Sequence, residues 1–109
     1  MSSVEDVDKI DLISYDEENN VVKLFMNEGR DWGSDNEMYL QLQEKLSTYL
    51  TFIEGGMMES EFPEYIGATI EVHLDCVDEP KNQSLSILER VRKLLLEKNI
   101  NFFYHVINI

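Results

Sequence analysis

Between two runs that alternate like strands, residues 34–56 (SDNEMYLQLQEKLSTYLTFIEGG) carry the start, stripe and stop of one long helix. Ser34 is spaced to cap the first turn, with Glu37 three residues on to complete a capping box. Leu42, Leu46, Tyr49, Leu50 and Ile53 recur at three- and four-residue steps and so share one face. Gly55 and Gly56 supply a residue that turns left-handed at little steric cost and ends the helix. At about 1.5 Å rise per residue the rod is about 30 Å long, the width of a small domain. Burying each stripe residue contributes about 1.5–3 kcal/mol. A helix this long with a single apolar face needs a sheet to lie on, and the flanking sequence supplies one.

Residues 9–15 alternate, with Ile10 and Leu12 on one face and Asp11, Ile13 and Tyr15 on the other. Residues 1–7 ahead of them are expected to fray. The cluster DEENN at 16–20 is a turn in which Asn19 or Asn20 takes φ > 0. Residues 21–26 form the second strand. Pairing Tyr15 with Val21 aligns Leu12 with Leu24 and Ile10 with Met26, which places both apolar sets on one face. Beyond the long helix, a short helical turn is expected near 58–62, ended by Pro63. Residues 69–76 alternate cleanly, with Ile70, Val72, Leu74 and Cys76 inward and Glu71, His73 and Asp75 outward. A second helix is predicted over about 83–98, burying Leu85, Leu88, Val91 and Leu95, with Asn99 as its stop. In the closing strand, NFFYHVINI at 101–109, both alternating sets are apolar. Either Phe102, Tyr104 and Val106 or Phe103, Ile107 and Ile109 can face the helices.

The order is therefore ββαβαβ within one domain, residues 1–109. Strands joined through a helix are parallel neighbours with right-handed crossovers. The fold class that follows is α/β, bordering on α+β. It is a two-layer sandwich with a four-stranded mixed sheet in spatial order 1-2-3-4, the first strand antiparallel, and two helices on one face. The polar outer side of the third strand favours two layers over a sheet covered on both sides.

Charge narrows the function classes. The 109 residues carry 22 acidic and nine basic side chains, a net charge of −13. A binder of nucleic-acid phosphates needs a basic stripe, which this chain lacks. An anionic membrane surface would also repel it. No apolar run approaches the eighteen or so residues of a membrane span. The opening MSSVEDVDKIDL lacks the basic start and apolar run of a signal peptide. The single cysteine, Cys76, has no internal disulfide partner. Together these features predict a cytoplasmic protein. The carboxylate excess serves solubility or a partner with a basic face.

In an open α/β sheet, ligands favour the crevice beyond the carboxyl ends of the parallel strands. That edge gathers Arg30, Asp31 and Trp32 from one loop with Asp75, Asp78 and Glu79 from another. These six are the candidate ligand residues. The plainer account is that Asp31 and Asp35 favour entry into the long helix, that Asp78 and Glu79 suit the dipole of the next one, and that Trp32 is a packing lid. No EF-hand spacing is present. Zinc would want four N or S donors, and the chain offers two histidines on different strands and one cysteine. His73 reads as solvated and Cys76 as a small core residue. No metal, cofactor or catalytic set is assigned. The uncovered sheet face is expected to present Ile13, Tyr15, Val21 and Phe25 as an interface for a second copy, since the last strand lacks Pro, Lys and Arg to guard its edge.

The segments DKIDLISYD, RDWG, LQEKLSTYLTFIEGG, PEYIG, LDCV with the EP that follows, and LLEKNINF together resemble a family of small, acidic bacterial proteins known only as a domain of unknown function. The resemblance spans residues 8–103. It implies a bacterial cytosolic setting and one domain, and it brings no activity or site residue. Two function classes are therefore carried forward. One is a non-enzymatic interaction module, adaptor- or immunity-like, that meets a basic protein partner or a second copy of itself. The other is a small-ligand binder or enzyme using the strand-end loops.

Overall fold

The alternating runs form a four-stranded sheet in the order β1-β2-β3-β4, made of β1 (Leu12–Asp16), β2 (Val21–Glu28), β3 (Thr69–Cys76) and β4 (Ile100–Val106). This is a computed structural model, and it describes residues 3–34 and 37–107. Asp35 and Ile109, invoked above, lie outside the described residues. β1 runs antiparallel to β2, while β2, β3 and β4 are parallel. Among the described residues three helices accompany the sheet: α1 (Met38–Glu54), α2 (Met57–Glu61) and α3 (Gln83–Glu97). A single 3₁₀ turn at Pro63–Tyr65 follows α2. The mixed α/β architecture is the expected one, with the short α2 standing where a helical turn was predicted.

The core has the composition the stripe demands. Leu42, Leu46, Tyr49 and Phe52 of α1 and Leu88 and Leu95 of α3 bury against Val22, Leu24, Met26, Val72, Leu74, Ile100 and Phe102 of the sheet. Both long helices therefore cover the same face. In α1 the stripe is rotated slightly from the expected one. Met38 and Lys45 are fully inside and Phe52 is buried, whereas Leu50 and Ile53 are only partly buried. In α3 the buried line is Ser84, Leu88 and Leu95 with Val91 partly covered, and Leu85 is exposed.

The element ends follow their residues. α1 starts at Met38 with Glu37 in the cap position, so Ser34 stands too far ahead to cap it. Gly56, at φ +87, makes the left-handed turn between α1 and α2. Asn20 and Asn99 also take positive φ, closing the β1–β2 turn and ending α3.

Two expectations are corrected. The first is the hairpin register: Tyr15 faces Val22 and Ile13 faces Leu24, with Asp16 opposite Val21. The turn is four residues rather than five. Asp16 is retained in the strand because its carboxylate accepts bonds from the Asn19 backbone N–H (3.2 Å) and side-chain amide (2.8 Å). The same bonds hold the Asp16 carboxyl below its usual pKa. A one-residue slip turns every side chain over. Ile13 and Tyr15 therefore pack on the core, and Leu12 becomes 58% exposed.

The second correction concerns the N-terminal segment, which is not frayed over its described part. Val4 is fully buried and its N–H donates to the Asn27 carbonyl (2.9 Å), beyond the end of β1. Lys45, on α1 and wholly buried, donates to the carbonyls of Ser3 (2.8 Å) and Asp6 (3.0 Å) and pairs with Asp11 (2.6 Å). The segment is a strap fastened to α1.

Candidate functional site

Three surfaces offer chemistry. At the strand-end loops, Glu28 is buried at the end of β2 and Arg30 folds back on it. The guanidinium donates to Oε1 at 2.8 Å and Oε2 at 2.9 Å, and again to Gln41 on α1 at 2.8 Å. Trp32 is fixed to the loop after β3. Its backbone N–H donates to the Asp78 carboxylate (2.9 Å) and its indole N–H to the Asp78 carbonyl (2.8 Å). Its ring also stacks near Tyr39 at 6.1 Å. The structure thus joins Trp32 to Asp78 and sets Arg30 on a structural ion pair. Asp31 and Glu79 are exposed, and Asp75 lies on the uncovered sheet face opposite His105.

The second surface lies between the helices. A groove of about 520 Å³ runs between α1 and α3. Leu42, Leu46 and Leu95 form its floor, and Leu50, Val91 and Leu94 line it higher up. Among the described residues its charged lining groups are both cations, Arg90 and Lys98, in a chain with a net charge of −13. Lys98 is shared with Glu54 at 3.5 Å. Leu94 is 58% exposed and Leu40, across the groove, is 55% exposed. Sequence periodicity missed this surface because it identifies which residues a helix buries and says nothing of how far apart two helices lie.

The third surface is the face of the sheet that the helices leave open. The registers set Leu12, Phe25, His73 and Phe103 in one row across all four strands. The residues facing outward thus differ from the expected ones: Val21 and Phe25 remain on the open face, Leu12 joins them, and Ile13 and Tyr15 turn to the core. The facing of β4 is settled as well, with Ile100 and Phe102 toward the helices. His73 is not a solvated side chain, being only 12% exposed. Its ring lies between Phe25 (5.2 Å) and Phe103 (5.1 Å). Its Nε2 is 2.9 Å from Glu71 Oε1, and its Nδ1 is 2.9 Å from His105 Nε2. The signal was present in the sequence, since outward-facing Glu71 and His73 are two apart on one strand. The parallel register that brings His105 beside them was not.

Cys76 ends β3 inside the core, and burial pushes its thiol up to about 11. A thiol held protonated is a poor nucleophile. A thiol-reactive disulfide reagent at pH 8 should therefore label Cys76 only after denaturant is added. Rapid labelling of the folded protein would show that this end of β3 opens. Burial of the protonated thiol also makes folding stability depend on pH. The contribution is intact below the ordinary thiol pKa of 9.0 and falls as pH rises toward about 11, because only the unfolded chain has lost the proton.

Among the described residues no helix is long and apolar enough to cross a membrane. The chain belongs to a family of unknown function, DUF6572, whose model matches residues 2–108. No curated protein and no solved structure matches it significantly.

Proposed function

We propose that this member of the family is a protein-interaction module whose docking surface is the groove between α1 and α3. The observation that carries the proposal is an apolar trough of about 520 Å³ bounded by exposed leucines, with only cations among its charged lining residues within the described part of the chain. Its occupant is an amphipathic helix of a partner protein. Such a helix lays apolar residues at i, i+3, i+4 and i+7 into a groove between two others. Charge complementarity places carboxylates on the flank of that helix facing Arg90. The remaining charge of the chain acts at longer range and favours a partner that is basic elsewhere. That attraction is screened over about 10 Å at 0.1 M salt, so association should slow as salt rises. An adaptor- or immunity-like role in a bacterial cytosol is the setting such a module fits.

A leucine-rich probe helix with a glutamate flank, titrated into the ¹⁵N-labelled protein, tests the proposal. Amide shifts should concentrate at Leu40, Gln43, Ser47, Arg90 and Leu94. A Leu94→Glu variant should bind roughly tenfold more weakly or worse, in keeping with the loss of a central apolar contact of about 1–2 kcal/mol. Leu94 is mostly exposed, so the variant should still fold. Shifts spread over the sheet face, or equal binding by Leu94→Glu, would place docking elsewhere.

A further inference from the structure

We infer that His73 and His105 form a binding site for a borderline divalent transition metal, Zn²⁺ or Cu²⁺, on the open face of the sheet. Two imidazole nitrogens on neighbouring strands point at one another, His73 Nδ1 and His105 Nε2, 2.9 Å apart. Two nitrogens bound to one tetrahedral zinc at about 2.0–2.1 Å lie roughly 3.3 Å from each other. A small outward movement of the exposed His105 ring therefore opens room for the ion.

The surroundings prepare one half of the site. Glu71 accepts the Nε2–H of His73 at 2.9 Å, which fixes that ring in the tautomer whose Nδ1 carries a lone pair. A carboxylate on the far nitrogen is the usual support of a metal-binding histidine, orienting the ring and raising its basicity. Phe25 and Phe103 hold the ring from both sides. In the metal-free pair, His105 must then be the donor through Nε2–H. Metal binding moves that proton from Nε2 to Nδ1 of the same ring, which frees the Nε2 lone pair for the ion. Asp75, opposite His105 in the ladder, and Glu71 make the neighbourhood anionic, offset by Lys23 opposite Glu71.

Imidazole donors select the ion class. They suit Zn²⁺ and Cu²⁺, whereas Ca²⁺ and Mg²⁺ want oxygen. Among the described residues no three His, Cys, Asp or Glu side chains converge on one metal position. The protein thus supplies two donors and leaves the remaining positions to water or to a donor from elsewhere. A closed structural zinc site would need four protein ligands. This one is open and exchangeable.

The chain has only two histidines, so their imidazole proton resonances can be followed directly. Adding ZnCl₂ to the chelator-treated full chain should shift both rings together and saturate at one equivalent. Calorimetry should show that His105→Ala binds at least tenfold more weakly, and that Glu71→Ala weakens binding about tenfold through loss of the orienting carboxylate. His105 is exposed and its loss leaves the core intact. CaCl₂ at the same concentration should move neither ring. If zinc leaves both histidine signals in place, or if His105→Ala binds it as the wild type does, surface carboxylates hold the ion and the inference fails.

Discussion

Replacing Lys45 with alanine should remove about 3–5 kcal/mol of folding stability, the cost of breaking a buried ion pair by deleting one partner. Few single changes on this chain should do more, because a domain of this size has only about 5–15 kcal/mol in total. Lys45 is wholly buried in the middle of α1, and its ammonium meets three acceptors: Ser3 O, Asp6 O and Asp11 Oδ1. Without it, Asp11 stays buried with no cation beside it, and its Oδ2 already lacks a hydrogen-bond partner among the described residues. Lys45→Met separates charge from packing. It restores the apolar stem and should still lose most of the stability, since Asp11 remains uncompensated. The double variant Lys45→Met/Asp11→Leu should regain much of it, as apolar replacements of whole buried pairs often do. Urea unfolding of the three variants checks this. A loss below about 1 kcal/mol for Lys45→Ala would mean that the pair is open to water and behaves as a surface salt bridge.

Lys45 also marks where the sequence stops being informative. Periodicity located α1, its left-handed stop at Gly56 and the inward set of β3, because each depends on residues close in the chain. Element order alone gave the sheet its neighbours. A lysine one position before Leu46 reads as solvent-facing, and nothing local announces that a strap of main-chain carbonyls will enclose it. The β1 register failed for a related reason. Leu12 and Ile13 are equally apolar, so hydrophobic pattern could not choose between two alignments, and the Asp16–Asn19 bonds chose. In the site regions, Trp32 and Asp78 do meet, while Arg30 is taken by Glu28, which continues the inward alternation of Val22, Leu24 and Met26 two residues past the strand end read from the sequence. The groove depends on the spacing of α1 and α3, and the His73–His105 pair on a parallel register across strands joined through α3. Both are long-range facts.

Deleting residues 1–7 should lower stability by at least about 3 kcal/mol. The segment contributes the fully buried Val4, worth about 1.5–3 kcal/mol in apolar transfer. It also provides two of the three acceptors of the Lys45 ammonium, and each hydrogen bond to a charged group is worth about 1.5–3 kcal/mol. The Thr48 hydroxyl loses its bond to the Val7 carbonyl as well. Water will re-enter the gap and offset part of the sum, so the lower figure is the safer expectation. For a chain of this length it corresponds to a melting temperature reduced by about 10–20 °C. A frayed tail would give no change, and calorimetry of the truncated chain separates the two outcomes directly. Coupling supplies the sharper test. If the strap acts through Lys45, then Lys45→Ala should cost clearly less in the truncated chain than in the full one, because the carbonyls it served are already gone. Groups that share partners are non-additive by about 0.5–3 kcal/mol. Two losses that simply add would show that Val4 and Lys45 stabilise the fold independently, and that the strap is held by its apolar contact alone.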